Sequence, residues 1–509
     1  MNVMLNHKSD QSKEPSLDFN NDKLIQSFKL NDFEQTIPLS KLSIRQNARN
    51  FVAYNILALS LSSIGKTKEA EEIFLEGISK NPKNNDLYNN LSNLYLEKRQ
   101  FKDAKRFSQK AVFLDINCSS SYFTLGIALN ACNEIDAAIS AIKKSFQLNN
   151  KNAPALLQLG NLYKDKKLFS KALDIYRKYQ KNFSYHTEGF YNEGCLHLRN
   201  ERFKVGWDRY DFGLKNDSRF LVKGYHEEEN ELWDGKPFDG TLLVYGEQGI
   251  GDQIIFSTLL YDLKKVQKNI FLKVSKKLVP FFKYNFKDIP VYSEDDKLSR
   301  DSYCKFISMG SLCKFFRSNI SDFTNTEFKK FSVKRTNIKF KEIFCNNKPV
   351  IGISWFTSNF QTGINRSLSI KELKKLINNS ECNFVNLQYG DVQEQINDLQ
   401  NTCKNKVVSI PEIDLTNDIN ALSNLILNCD LVITIDNTTA HLSSSLGKDT
   451  WILLPFSADF KWFEKNTKSL WYETSKLFRQ QISRNWDPTI NEILNNLKTK
   501  YFLKGNYNE

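Results

Sequence analysis

Three short stretches bring together residue types able to bind or activate a ligand. The first is Gly246-Glu247-Gln248-Gly249-Ile250-Gly251-Asp252, directly after an apolar run. Gly249 and Gly251 let the backbone pass close to a bound group, and a following helix offers free amide N–H groups. Asp252 in that helix's first turn has two readings: a base that takes a proton from an acceptor hydroxyl, or an acid that caps the helix and meets its dipole. The second stretch runs from an apolar segment at 350–355 into Phe356-Thr357 and on to Arg366-Ser367. Hydroxyls and one guanidinium there suit a diphosphate, although a lone loop arginine is also simply a solvated cation. The third is Asp436-Asn437-Thr438-Thr439-Ala440-His441. On a strand-to-helix turn, Asp436, Thr438, Thr439 and His441 could hold ribose or phosphate. Equally, Asp436 could cap the helix while His441 packs on its own turn.

Several chemistries find no support. There is no phosphate-loop lysine motif, and the 246–251 glycines depart from G-x-G-x-x-G, so nucleotide hydrolysis and dehydrogenation are disfavoured. A G-x-S-x-G elbow is missing, which argues against an α/β-hydrolase. No clustered histidines or carboxylates suggest a metal, and none is expected as a cofactor.

The elements that must position these stretches follow from hydropathy. From residue 241, apolar runs at 241–245, 270–274, 290–292, 350–355, 384–387, 407–410, 431–435 and 451–454 alternate with amphipathic stretches such as 254–266, 370–378 and 417–427. This pattern predicts βαβ units and parallel sheets. The runs form two groups separated by 328–346, which predicts two Rossmann-like halves facing a cleft, with ligands at the carboxyl ends of the strands.

The first half of the chain reads differently. Ala58, Ser92, Gly126, Gly160 and Gly194 recur every 34 positions, as do Ala70, Ala104, Ala138, Ala172 and Gly206. Bulky residues keep the same register, as at Tyr54, Tyr88, Tyr122, Leu156 and Phe190. Such columns predict antiparallel helix pairs, with small residues at the closest approach of the axes.

Composition sets the outer bounds. The chain of 509 residues is 40% hydrophobic and 25% charged, an ordinary globular mixture. Lys plus Arg exceeds Asp plus Glu by 71 − 58 = 13, which either favours anionic partners or reflects a solvated lysine-rich surface. Nine scattered cysteines with no C-x-x-C pair predict reduced thiols rather than a disulfide framework or a zinc site. The polar N-terminus lacks a signal-peptide core, and no stretch is apolar enough to cross a bilayer. A cytoplasmic protein is expected, with peripheral attachment at the inner membrane left open.

The 34-residue columns over residues 51–215 resemble the tetratricopeptide repeat. The later motifs resemble, as an ordered set, glycosyltransferase family 9, the ADP-heptose:lipopolysaccharide heptosyltransferases, and more closely its bacterial relatives fused to tetratricopeptide repeats. The set comprises Trp233-Asp234-Gly235, the 246–252 loop, Gly352-Ile353-Ser354-Trp355 with Arg366-Ser367, and the 436–442 turn with Leu446-Gly447-Lys448. Leu453-Leu454-Pro455-Phe456 with Asp459 and Trp462, Trp471-Tyr472, Phe478-Arg479-Gln480 and Trp486-Asp487 complete it. The resemblance implies a tetratricopeptide superhelix followed by a GT-B fold, and an inverting, metal-independent transfer from a nucleotide-sugar to a protein or envelope-glycan acceptor. It assigns Asp252 as the base and Arg366, Ser367, Asp436, Thr438, Thr439 and His441 to the donor. A protein partner on the concave face of the repeats is implied, and no nucleic acid. The expected organisation is an unstructured leader at 1–35, repeats at 36–215, a linker at 216–240, an acceptor-side half at 241–345 and a donor-side half at 346–509. An enzyme resembling the protein O-GlcNAc transferases and a catalytically inactive scaffold are the alternatives.

Overall fold

A computed structural model describes residues 18–215, 231–325, 328–357, 359 and 363–502. The chain divides into two compact units, one comprising residues 1–164 and 170–175, the other residues 165–169 and 176–509.

Helices fill the N-terminal half: α1 Asp18–Lys29, α2 Phe33–Gln46, α3 Phe51–Ser63, α4 Thr67–Lys80, α5 Asn85–Glu97, α6 Phe101–Leu114, α7 Ser119–Ala131, α8 Ile135–Leu148, α9 Ala153–Asp165, α10 Phe169–Asn182, α11 Glu188–Arg199 and α12 Phe203–Tyr210. They follow one another as helical hairpins, as tetratricopeptide-like repeats do. Two local devices recur with the 34-residue period. Asn50, Asn84 and Asn152 each accept from the backbone N–H three residues on, capping α3, α5 and α9. Between the two helices of successive hairpins stand Asn31, Gly65, Arg99, Asn133, Lys167 and Glu201, all with positive φ between 57° and 81°. A left-handed residue at this point reverses the chain tightly. Ala58, Ser92, Ala70, Ala104 and Ala138 are fully buried, as the small-residue columns predict.

Helix α1 lies where an unstructured leader through residue 35 was expected, and it keeps the repeat phase one hairpin upstream. Leu24 is buried against Val52, Ala53 and Ile56, which gives this polar segment a reason to order. Residues 1–17 lie outside the described residues, as does the 216–230 part of the expected linker. The compact division also falls earlier than that linker. Gly194 shows why α11 and α12 are so tightly joined: a Cβ there would stand 2.7 Å from the Tyr210 backbone nitrogen. That pair buries Phe203, Trp207 and Tyr210 in one core with the α/β elements that follow.

Those elements form two all-parallel sheets. The first contains β1 Leu242–Tyr245, β2 Ile270–Val274, β3 Val291–Ser293 and β4 Lys305–Ser308, in the order β3-β2-β1-β4. The second contains β5 Val350–Ser354, β6 Asn383–Asn386, β7 Val407–Val408, β8 Leu431–Ile435, β9 Thr450–Leu454 and β10 Ser475–Arg479, in the order β10-β9-β8-β5-β6-β7. Every residue of β5, β8 and β9 is buried. Ile351, Ile353, Leu431 and Ile433 face one core, and Val350 and Val432 the other. Burial on both faces explains why these strands read as unbroken apolar runs. Each order reverses direction once, between β1 and β4 and between β5 and β8, and such switch points open crevices at the strands' carboxyl ends. Strands β4 and β10 were absent from the sequence expectation. Both are edge strands of their sheets, and charged Lys305, Lys476 and Arg479 interrupt their apolar character.

Among the described residues, no helix is long and apolar enough to cross a membrane, and no group of three or more His, Cys, Asp or Glu could hold a metal ion. All nine cysteines are free thiols.

Candidate functional site

The loop after β1 is shaped by two side chains that turn back into the sheet. Glu247 Oε1 accepts from Ser308 Oγ and, at 2.9 Å, from the Gly310 N–H, tying the loop to the end of β4. Gln253 donates to the Glu247 carbonyl and accepts from the Ser275 N–H at 2.9 Å. The helix α13, Ile250–Ser257, starts at Gly249 without a side-chain cap and carries Asp252 in its first turn. Gly251 lies against the turn that follows β8. A Cβ there would stand 2.8 Å from His441 Cδ2 and 3.6 Å from Thr438 Cα, so a residue without a side chain permits this approach.

The turn after β8 is fixed by Asn437. Its Oδ1 accepts from the Ala440 N–H at 3.3 Å, capping the helix Thr438–Ser445, and its Nδ2 donates to Ser354 Oγ at 2.8 Å. Capping therefore falls to Asn437 and leaves Asp436 for other contacts. Asp436 Oδ1 accepts from Trp462 Nε1 at 2.8 Å, and Oδ2 lies 3.4 Å from Arg366 Nη1. Oδ2 is buried without a hydrogen-bond partner, as is Thr439 Oγ1. Ser367, next to Arg366 after β5, accepts from the Thr357 N–H at 3.1 Å. Thr438 is half-buried at the start of its helix.

The residues that link these groups come from the segment after β9. Asp459 caps the short turn Phe460–Trp462. Lys461 Nζ stands 3.0 Å from Asp252 Oδ1 and 2.7 Å from Asp459 Oδ1, while Asp459 Oδ2 lies 3.5 Å from Arg366 Nη2. A continuous ionic chain thus runs Asp252–Lys461–Asp459–Arg366–Asp436, from the carboxyl end of β1 to those of β5, β8 and β9. Burial opposes charge on Lys461, but Asp252 and Asp459 outweigh it and raise the ammonium's pKa well above its ordinary value. Burial likewise opposes ionisation of Asp459, yet Lys461 and Arg366 hold its carboxyl below the usual carboxylate range.

His441 is enclosed. Its ring stacks on Trp462 with centroids 5.0 Å apart and planes 11° from parallel, and Nδ1 lies 3.3 Å from Tyr472 Oη. Burial, with Lys461 adding to it, depresses its pKa to about 4, so the imidazole is neutral at pH 7. His441 is thus a neutral, packed imidazole between the turn after β8 and the segment that carries Trp462. Ser443 and Ser444 in the same helix spend their hydroxyls on the Thr439 and Ala440 carbonyls.

Asp252, Arg366, Asp436, Thr438, Thr439 and His441, predicted from three separate stretches, thus meet at one place, with Gly249, Gly251 and Ser367 shaping the loops around it. Lys461 was missed, and Asp459 and Trp462 were noted only as marks of resemblance. The available signal was Asp-Phe-Lys-Trp shortly after an apolar strand, the same strand-to-polar-loop pattern that drew attention to 436–441. A separate groove of about 440 Å³, lined by Pro280, Tyr284, Ile338, Ile413 and Asn424 among others, shares no lining residue with this cluster.

Fold and site together define a chain of tetratricopeptide-like helical hairpins followed by an α/β region of two parallel sheets with a charged cluster at their switch points. No family model matches the sequence. The chain is similar to protein FlbA of Caulobacter vibrioides, 21% identical over 469 residues that cover 87% of this chain and 72% of that protein. It is also similar to the BBSome complex member BBS4 of Bos taurus, 30% identical over 118 residues, 23% of this chain and 22% of that protein. Among solved structures, YrrB, a TPR protein with an unusual peptide-binding site, aligns with 35% of this chain and 91% of its own at 20% identity and a TM-score of 0.30. The thermophilic TPR protein TTC0263 of Thermus thermophilus aligns with 36% of this chain and 100% of its own at 16% identity and a TM-score of 0.32.

Proposed function

We propose that the α/β region is an inverting glycosyltransferase of GT-B type that moves a sugar from a nucleotide-sugar to a protein or glycan acceptor. The observation that carries this reading is the meeting of Asp252 with Lys461, Arg366 and the 436–441 turn at the switch points of both sheets. Ligands collect at such positions, and the groups present match the needs of sugar transfer.

In that reaction the bond between the anomeric carbon and the diphosphate oxygen breaks, and a bond to the acceptor oxygen forms on the opposite face. The hydroxyl proton passes to Asp252. The leaving nucleoside diphosphate gains negative charge, which Arg366, Lys461 and the amides opening the helix Thr438–Ser445 stabilise. The cluster holds three carboxylates against two cations. An entering diphosphate therefore draws Lys461 away from Asp252, and the carboxylate is released to act as base in the same step that fills the donor site. No metal enters this scheme. The hairpins supply a concave surface for the acceptor or a partner protein. An enzyme of the cytoplasm, peripheral at the inner membrane, suits an envelope acceptor.

The test is mass spectrometry of proteins and glycans incubated with the full chain and a mixture of nucleotide-sugars. A sugar-sized mass added by the wild type and not by Asp252→Asn supports the reading. An Asp252→Asn protein with full transfer removes the base assignment, and no transfer to any acceptor favours a catalytically inactive scaffold.

A further inference from the structure

We propose that Arg199, in the last turn of α11, is a positioning residue for the site, holding the segment that carries Asp459 and Lys461. This rests on the reading of the 252–461 cluster as a ligand site.

Arg199 is 2% exposed, unusual for an arginine. Its guanidinium grips both ends of one segment: Nη1 donates to Ser457 Oγ at 2.8 Å, and Nε donates to Glu464 Oε2 at 2.6 Å. Between those two residues lie Asp459, Lys461 and Trp462. The preceding hairpin turn adds two further contacts, Lys167 Nζ to Glu464 Oε1 at 2.7 Å and Ser457 Oγ to Asp165 Oδ1 at 3.1 Å. From the other side Arg479 Nη2 donates to the Trp462 carbonyl at 2.6 Å.

The segment needs holding. Phe463 has φ 52° and ψ 174°, a region that residues with a side chain rarely enter. Its ring is 2% exposed and meets Phe203 and Phe323 edge-on, each with centroids 5.6 Å apart. Such a conformation persists only when its surroundings over-determine it. Arg199 joins both ends of the segment, alongside the charged contacts of Lys167 and Arg479, so relaxing it lets the backbone turn at Phe463 and carries Lys461 and Asp459 away from Asp252 and Arg366.

The experiment uses the full chain with Arg199→Met, Arg199→Lys and Glu464→Gln. Deuterium exchange is followed in peptides spanning 455–466 and in peptides covering β5 and β8, and ADP, GDP and UDP binding is measured by calorimetry. Arg199→Met should raise exchange at least tenfold across 455–466 with β5 and β8 unchanged. Arg199→Lys, which keeps one charged donor, should fall between it and the wild type. Whichever nucleoside diphosphate binds the wild type should lose at least tenfold in affinity with Arg199→Met. Unchanged exchange at 455–466, or a rise spread equally over both strands, overturns the proposal. Should Arg199→Met fail to fold, Arg199→Lys and Glu464→Gln carry the same comparison. If no nucleotide binds the wild type, the sugar-transfer reading fails, while the exchange data still decide whether Arg199 holds the segment.

Discussion

Lys461 and Asp252 form an ion pair at 3.0 Å between two elements that belong to different sheets, the loop after β9 and the helix after β1. Lys461 is also shared with Asp459 at 2.7 Å, so one buried ammonium joins the wall that carries Asp252 to the wall that carries Arg366 and Asp436. Removing it strips Asp252 of its ion-pair partner and leaves Asp459 with Arg366 alone. Lys461→Gln should cost about 2–3 kcal/mol of stability, below the figure for fully buried pairs because Asp252 is partly exposed. Chemical denaturation measures that loss, and a change under about 0.5 kcal/mol would mean the pair is weak in solution.

Asp252→Asn keeps size and shape while removing the carboxylate proposed as the base. Sugar transfer should be lost, while donor affinity stays within about threefold, since the base acts in the transition state. Equal losses in binding and turnover would instead mark Asp252 as a donor contact.

Gly251→Ala tests the close approach of α13 to the turn after β8. The new methyl would stand 2.8 Å from His441 Cδ2, and His441 cannot retreat because Trp462 stacks on its ring. A destabilisation of about 1–3 kcal/mol is expected, seen as a lower unfolding midpoint. A midpoint unchanged from the wild type would show that the two elements are free to separate.

His441 sets a pH dependence. Its pKa is depressed from 6.5 to about 4 by burial and by Lys461, so the unfolded chain binds more protons than the folded chain between those values. Stability from this group is complete above about pH 6.5 and falls as pH drops toward 4, by roughly 3 kcal/mol in all. His441→Gln should flatten the slope of the unfolding midpoint between pH 7 and pH 5. An unchanged slope would place the acid sensitivity elsewhere.

Much of this architecture was readable in the residues. The 34-residue columns located α3 to α12 because each small residue answers one close helix contact, and the buried strands β1, β5, β8 and β9 announced themselves as unbroken apolar runs. What escaped notice lacks that kind of signal. The recurrent left-handed position holds Asn or Gly at Asn31, Gly65 and Asn133, but Arg99, Lys167 and Glu201 occupy it with ordinary side chains, so turn-forming residues mark only half of the column. Helix α1 is polar over most of its length and is revealed by Leu24, Ile25 and Phe28 packing in one cluster with residues of α2 and α3. At the site, Asp252, Arg366 and Asp436 stood out individually, but Lys461 draws its role from a neighbour in space that is remote in sequence. Spacing within one segment carries no trace of that.

The same left-handed column offers a stability test. Glu201 has φ 61°, a conformation costing a side-chain-bearing residue about 1–2 kcal/mol, part of which glycine returns as extra freedom in the unfolded chain. Glu201→Gly should therefore raise stability by about 0.5–1 kcal/mol in a thermal melt. A lower melting point would show that the Glu201 side chain contributes more than its backbone costs.

The most direct test of the central claim is a thermal-shift panel of nucleotide-sugars on the full chain, wild type beside Arg366→Met, since a ligand bound to the folded state raises its melting point by mass action. At least one nucleotide-sugar should raise the wild-type melting point, and the shift should vanish in Arg366→Met while that variant still melts cooperatively. A panel with no shift in the wild type, or a shift equally large without the guanidinium, would contradict the assignment of this cluster to a nucleotide-sugar.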